Sequence, residues 1–370
     1  MEHQPLRVLT VVTTAFAKNG ITGVVKNYAF HIDPAEVAFD YVLINEPDAA
    51  DRAAIEARGG RIFVIGRRAR KPLAYKKALT GVLLSGHYDC IHAHGNSATL
   101  YLEMKAAADA GVPVRIAHSH NTNTSFPLVH ALLWKKFDAL TTHRLACGDA
   151  AGRWLFHDRP FVVLPNAIDT ARFTFTPELR KSARARFHLG GERVYLHVGS
   201  FNKAKNHAFL IDSFTNVHAK DAAAKLLMVG DGPLRTQIKR RATASLIAKC
   251  AMFSKDGVDP AEAYAAADAF LLPSLHEGLP LTLLEAQSMG LACLVSDAVT
   301  TEANVTGLVT YKKLSDGMDV FANAAMALEK RTPSERAAAY QLVADAGYDI
   351  SRRAGELTAF YRRCTEGKAE

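Results

Sequence analysis

Residues 269–297 read AFLLPSLHEGLPLTLLEAQSMGLACLVSD. AFLLPS is an unbroken apolar run closed by Pro273, the mark of a buried strand. LHEG is a turn. Pro280 stands where a first helical residue would be, because its fixed φ and missing N–H are harmless there. LTLLEAQSMG then reads as a helix ending at Gly290, and LACLVSD as a second buried strand. Two apolar strands separated by a helix predict a parallel sheet covered on both faces.

The same alternation extends in both directions. RVLTVVTT, FDYVLIN, RIFVIG, YDCIHAHG, PVRIAHSH, HRLACG and FVVLPNAID read as strands in the first half. RVYLHVGS and AKLLMVGDG join AFLLPS and LACLVSD in the second. Between the halves, residues 170–193 are polar and strongly basic, which predicts a boundary near residue 166. The expected fold class is α/β, as two doubly wound Rossmann-like domains. Residues 1–165 form the first and residues 166–347 the second; a terminal helix over 348–370 packs back toward the first. Ligands of such sheets bind beyond the carboxyl ends of the strands, so the expected site is a cleft that both domains face.

Composition narrows the class. The chain has 370 residues, 49% hydrophobic and 22% charged, enough apolar material for two cores. No run of about 18 apolar residues is present, and the start, MEHQPLRVLTVVTT, reads better as a strand than as a secretion signal. Five scattered cysteines without a Cys-x-x-Cys fit a reducing compartment and give no zinc frame. The formal charge of +8 implies an anionic partner.

The opening stretch also carries candidate chemistry. The first N–H groups of its helix, around Leu281 to Leu283, lack partners within the helix and have the positive end of the helix dipole behind them. That is a ready phosphate site. Glu285 lies about a turn further in and Glu277 sits in the preceding turn. Two carboxylates flanking an anion hole suit a ligand with hydroxyls at both ends and phosphates between; the plain alternative is a helix acid and a surface acid. In VGSFNKAKNH, Lys203 and Lys205 follow a strand ending at Gly199, as phosphate contacts or as a solvated loop. VGDGPL reads as a structural turn. In KNGITGVVKN, Gly20 and Gly23 open a helix, resembling a phosphate-cradling loop without a full G-x-G-x-x-G.

Two His-x-His pairs end strands: His92 and His94 in CIHAHGN, His118 and His120 in RIAHSHN. Alternate residues share a strand face, so four imidazoles could converge on a metal, although hydrogen bonding or general-base work suits them better. No metal is expected, and no Asp-x-Asp is present. Arg67, Arg68, Arg70, Lys71, Lys76 and Lys77 form a basic cluster that reads either as a solvated loop or as a contact with anionic lipid. Nucleic acid is not expected, since no reading motif or aromatic interleaving accompanies these charges.

YDCIHAHGNS, PVRIAHSHNT, ACGDAAGRWLF, LPNAID, VGSFNKAKNHAFLID, LLMVGDGPL and PSLHEGLPLTLLEAQSMGLACLVSD together resemble glycosyltransferase family 4, of the GT-B fold, and within it enzymes of bacterial exopolysaccharide and capsule assembly. The last motif holds the family's Glu-x7-Glu. The resemblance implies a retaining hexosyltransferase that needs no metal or cofactor and moves a sugar from a nucleotide-sugar, usually a UDP-sugar, to a lipid-linked saccharide. It implies a cytoplasmic protein, peripheral at the inner face of the plasma membrane. By the same resemblance Glu277 holds hydroxyls of the donor sugar and Glu285 the ribose. Backbone N–H groups of Gly278, Leu279, Leu281 and Thr282, in the segment that includes Pro280, frame the diphosphate with Lys205, Gly199, Ser200 and Lys203. The loop at Gly20 and Gly23 closes over it. A histidine, His120 or His118, contacts the sugar region, and His94 and Asn96 lie on the acceptor side.

The chain departs from the family pattern at Ser200, where an arginine is usual, and in FSKDGVDP, where a glycine more often follows the phenylalanine. These departures support a second reading, a catalytically weak homologue that binds a nucleotide or partner as a scaffold. A GT-B epimerase is a third, which the Glu-x7-Glu and AHSHN segments oppose.

Overall fold

The computed structural model describes residues 4–17, 20–66, 68–254 and 258–367. The chain divides into two compact units, one of residues 1–167 with 350–370 and the other of residues 168–349.

In the first unit the strands are β1 (Leu6–Val12), β2 (Val37–Leu43), β3 (Ile62–Val64), β4 (Cys90–Gly95), β5 (Val114–Ser119), β6 (His143–Ala146) and β7 (Val162–Val163). They alternate with helices α1 (Gly20–His31), α2 (Ala49–Ala57), α3 (Pro72–Gly86), α4 (Tyr101–Asp109), α5 (Pro127–Leu140) and α6 (Asp149–Phe156). All pair in parallel, in the order β3-β2-β1-β4-β5-β6-β7. β1 shows why its sequence is mostly apolar. Leu9 and Val11 pack with Leu79 of α3, Met104 of α4 and Phe137 of α5 on one side. Val12 packs with Val25 and Ala29 of α1 on the other. Helices on both faces leave a central strand no polar side.

The second unit repeats the plan with β8 (Val194–Val198), β9 (Lys225–Val229), β10 (Ala251–Phe253), β11 (Ala269–Leu272), β12 (Ala292–Ser296) and β13 (Val309–Lys312). Its helices are α7 (Pro177–Arg186), α8 (His207–Lys220), α9 (Arg235–Thr243), α10 (Pro260–Ala266), α11 (Leu281–Ser288), α12 (Met318–Ala327) and α13 (Pro333–Val343). The parallel order is β10-β9-β8-β11-β12-β13. The two outermost strands of this sheet, β10 and β13, are absent from the expectations above. At three and four residues, with partly exposed side chains, they lack the long apolar runs of the inner strands.

The basic stretch between the halves is spent largely inside the second unit. Thr176 caps α7 by accepting the Leu179 N–H. Arg180 donates to the carbonyls of Ala265, Ala266 and Ala267 and to Asp268, closing the carboxyl end of α10. The buried guanidinium of Arg336 donates to the carbonyls of Met289, Ala267 and Tyr264. Cations at a helix carboxyl end satisfy its last carbonyls and complement its dipole.

The chain leaves the second unit through Asp349 and continues as α14 (Ile350–Thr365), which belongs to the first. Ile168 forms a parallel bridge with Asp349, so entry and exit strands are tied together and the crossings fall at 167/168 and 349/350, two residues beyond the expected positions. Tyr361 of α14 is buried, edge-on to Phe39 of β2 with ring centres 6.1 Å apart. No described helix is long and apolar enough to cross a membrane.

The basic cluster differs from its expected use. Arg67 lies outside the described residues. Arg68 turns inward, its guanidinium donating to both oxygens of the fully buried Glu103 at 2.9 Å and to Thr99 Oγ1 at 2.8 Å. A buried carboxylate demands a partner, and this one takes Arg68 from the surface. Lys76 pairs with Asp109 at 2.6 Å. Arg70, Lys71 and Lys77 remain exposed.

Candidate active site

In the second unit the loops after β8, β9 and β11 meet at the carboxyl edge of the sheet. Gly199 donates to Val229 O and Phe201 to Asp231 O, which ties the first loop to the second. This closeness requires Gly230 at φ +142°: a Cβ there would stand 2.1 Å from Gly199 O. VGDGPL is therefore a structural turn that presses the lysine-bearing loop into place. Leu275 donates to Ala204 O at 2.7 Å, joining that loop to the turn before α11.

The result is one polar cluster. Lys205 Nζ lies 2.5 Å from Glu277 Oε1, and Ser274 Oγ donates to the same oxygen at 3.0 Å. Ser296 of β12 holds Ser274 from beneath by donating to its carbonyl at 2.5 Å. Gly199 leaves room for the Lys205 stem and for His197 Nε2, each 3.2 Å from where a Cβ would sit. Gly278, Leu279, Pro280, Leu281 and Thr282 form the rim. Pro280 is extended, with ψ 118°, and is the cap rather than the first helical residue. It has no side-chain cap bond, and Leu283 N–H donates to Pro280 O at 3.0 Å, so the unfilled donors end at Thr282 and exclude Leu283.

Glu285 points from α11 to Tyr264, whose hydroxyl lies 2.8 Å from Glu285 Oε2 and 3.0 Å from Thr282 O. Burial raises the Glu285 carboxyl to about 7, against the opposing hydrogen bond from Tyr264. Ser200 is half-buried beside Gly199, whereas Lys203 is exposed in the same loop. Tyr264, Ser274 and His197 escaped the sequence reading; each lies in an ordinary apolar or turn segment with no local pattern to single it out. Lys255, Asp256 and Gly257 of the FSKDGVDP departure lie outside the described residues.

In the first unit, Gly20 and Gly23 open α1. A Cβ at Gly20 would meet nothing, so packing within the chain gives no reason for glycine there. Lys18 and Asn19 of that loop lie outside the described residues. The two His-x-His pairs come together because β4 and β5 are adjacent, with His94 opposite His118 in register. His92 Nε2 and His118 Nδ1 are 3.1 Å apart, and His94 Nδ1 and His120 Nε2 are 2.9 Å apart. His92 Nδ1 shares a 2.6 Å hydrogen bond with the Tyr361 hydroxyl. Nitrogens of His92, His94 and His118 lie within 4.8 Å of one another, close enough to gather a cation. Two of these imidazoles already bond each other, and the partner on the outer nitrogen of His92 is a phenol rather than a carboxylate. The arrangement is a hydrogen-bonded ladder.

The ladder revises two expected roles. His118 is 1% exposed and His94 5%, so neither reaches a substrate directly. His120, just past β5, is half-buried and stands at the open end. His94 bonds its ring, and Asn96 Oδ1 accepts its backbone N–H at 3.2 Å. Burial, first among the causes, holds His92, His94 and His118 well below the usual imidazole range and brings His120 down to about 3. His120 is thus a neutral imidazole at physiological pH.

Residues 192–338 match the family described as glycosyl transferases group 1. The chain is 31% identical over 382 residues to the putative glycosyltransferase EpsF of Bacillus subtilis (strain 168), covering 99% of both chains. It is 30% identical over 238 residues, 60% of each, to the UDP-Gal:alpha-D-GlcNAc-diphosphoundecaprenol alpha-1,3-galactosyltransferase of Escherichia coli. Among solved structures, Anabaena HepE in complex with UDP and glucose superposes with a TM-score of 0.77, covering 96% of this chain and 99% of that one at 15% identity. At that identity the likeness speaks for the fold, which is GT-B.

Proposed function

The chain belongs to the group 1 glycosyltransferases, and from that premise we propose that it transfers a sugar, with retention and without a metal, from a UDP-sugar to a lipid-linked saccharide in exopolysaccharide or capsule assembly. The observation that carries this reading is the Lys205–Glu277 pair at the uncapped start of α11, with Glu285 one turn behind. Both charges of the pair have work in such a reaction. When the donor enters, Glu277 exchanges the lysine for sugar hydroxyls, and Lys205 joins the α11 N–H groups on the diphosphate. Glu285 accepts from the ribose. In the transfer the bond from the sugar C1 to the diphosphate oxygen breaks, and the acceptor oxygen bonds C1 on the same face. The acceptor proton passes to the departing diphosphate. Lys205 and the helix N-terminus stabilise the charge that develops there. His120 contacts the sugar as a neutral donor, with His94, Asn96 and His118 positioning it. Gly20 and Gly23 allow backbone to approach the phosphates.

The known name of the Escherichia coli relative supports both the UDP donor and the lipid diphosphate acceptor. With a lipid-linked acceptor, the enzyme would work as a peripheral protein at the inner face of the plasma membrane. The test is transfer from labelled UDP-sugars to detergent-dispersed diphospholipid saccharides, with and without EDTA, and NMR of the product's anomeric proton. Retained configuration and indifference to EDTA are expected; an inverted product or a metal requirement overturns the mechanism. Ser200 favours a second reading, a nucleotide-binding scaffold, since serine brings no charge to the diphosphate. UDP binding by calorimetry without turnover on any acceptor would establish that reading instead.

A further inference from the structure

Beneath the Lys205 loop the second unit buries two imidazoles beside an apolar cluster that includes Tyr195, Phe201, Leu210 and Leu271. One is His197 of β8, the other His207, the first residue of α8. Packing holds His207, since Phe201 stacks on its ring with centres 4.1 Å apart. A hydrogen bond holds His197. Its Nδ1 lies 2.8 Å from Leu271 O, and a carbonyl can only accept, so Nδ1 carries the hydrogen and Nε2 keeps a lone pair. That nitrogen finds no hydrogen-bond partner among the described residues. His207 meets the His197 ring edge-on at 4.6 Å, which keeps the imidazole from turning aside. A buried acceptor without a donor is costly, and one kept under a ligand site calls for a use.

Its position supplies one. Gly199 is not among the glycines of positive φ, so it is glycine for space. A Cβ there would stand 3.2 Å from His197 Nε2 and 3.2 Å from both Cδ and Cε of Lys205. The free lone pair and the end of the lysine stem thus share the space over one bare α-carbon. We propose that His197 is a positioning residue for Lys205: when a diphosphate draws the ammonium from Glu277, His197 Nε2 accepts one of its N–H groups and aims the charge at the phosphate. In the free protein the ammonium is spent on Glu277 at 2.5 Å. Once that carboxylate turns to the sugar, phosphate oxygens satisfy the ammonium from the ligand side and His197 from the protein side. The acceptor must be neutral. Burial first, then His207 and Lys205, hold the imidazole well below its usual range and keep it so. A carboxylate in this place would compete with the phosphate for the lysine, whereas an uncharged acceptor orients the ammonium without cancelling its charge.

This assignment rests on the reading of Lys205 as a diphosphate contact, and binding alone tests it, with UDP and inorganic pyrophosphate as probes of the full chain. His197→Asn keeps a donor for Leu271 O but removes the acceptor, whereas His197→Gln carries an acceptor out to the Nε2 position. The asparagine variant should bind UDP about tenfold more weakly and the glutamine variant near the wild-type level. In a Lys205→Met background the asparagine change should cost nothing further, because the interaction is with the ammonium. Additive losses in that cycle mean that His197 only packs, and they overturn the proposal; so do equal losses for asparagine and glutamine. Where a variant melts early, the wild type with isotope-labelled histidine gives a second reading by nitrogen NMR. The His197 Nε2 signal should move as either probe saturates the protein, and a signal that stays in place sinks the idea. A wild type that binds neither probe does the same. Turnover does not enter these measurements, so a chain that binds UDP yet transfers no sugar refutes the transferase reading and leaves this result standing.

Discussion

Glu285 carries a proton question of its own. Its carboxyl titrates near 7 in the free protein, above the ordinary 4.5, because burial disfavours the charge. A raised folded pKa gives stability that is complete below the ordinary pKa and is lost as pH rises through 7. Glu285→Gln, always neutral, should therefore gain about 1–2 kcal/mol over wild type between about pH 6 and pH 8, read from thermal melts. Ligand affinity runs the other way. The ionised carboxylate is the better acceptor for a ribose hydroxyl, so wild-type UDP affinity should rise across that range relative to the variant; parallel calorimetric curves would remove Glu285 from the ribose site. Glu277→Ala frees Lys205, so UDP affinity should hold or tighten while transfer falls by about ten- to a hundredfold, the cost of one charge-assisted contact. A fall in UDP affinity matching the fall in transfer would reverse the two roles. Neither glutamate's partner was legible beforehand. The spacing of the two glutamates shows in the chain, but Ser274 and Tyr264 meet them only through the meeting of loops and helices.

Among elements, the tight turn after β9 sets how accurately the Lys205 loop is held. Gly230→Ala forces a methyl to within 2.1 Å of Gly199 O at a φ that suits glycine. It should cost the second unit about 2–3 kcal/mol and weaken UDP binding although residue 230 need touch no ligand. Denaturant melts and calorimetry measure the two effects, and an unperturbed variant would show that the loop yields freely. Inner strands such as β1, β8 and β11 were legible because both faces are covered and most positions are apolar. The edge strands β10 and β13 were not, since short runs with exposed sides resemble loops. Arg68 was misread for a related reason. A basic cluster looks alike whether it faces water or a buried carboxylate, and Glu103 lies in α4, 35 residues further along the chain.

At the scale of the whole molecule, buried histidines make the fold sensitive to acid. His92, His94 and His118 are held well below the usual range, His120 at about 3 and His207 at about 4, burial being the main cause in each case. With folded pKa values depressed, the unfolded chain binds more protons below about pH 6.5, so stability falls as pH falls from there. Each such histidine contributes a slope of up to about 1.4 kcal/mol per pH unit. The four in the ladder should make the first unit lose hydrogen-exchange protection before the second near pH 5. His118→Gln should flatten the acid limb by one proton, and an unchanged limb would mean that the ladder charges without unfolding. The division into two doubly wound units was legible from the alternation of strands and helices. The ladder's tie to Tyr361 was not, because 269 residues separate that tyrosine from His92.

That tie has a consequence for synthesis. The second unit is one continuous stretch, complete once residue 349 has left the ribosome. The first unit begins earlier but lacks α14, and with it Tyr361, until the whole second unit has been made. The usual order, in which the N-terminal domain folds first, is therefore inverted. Until α14 is made, His92 lacks its Tyr361 partner and the apolar face that α14 covers stays open.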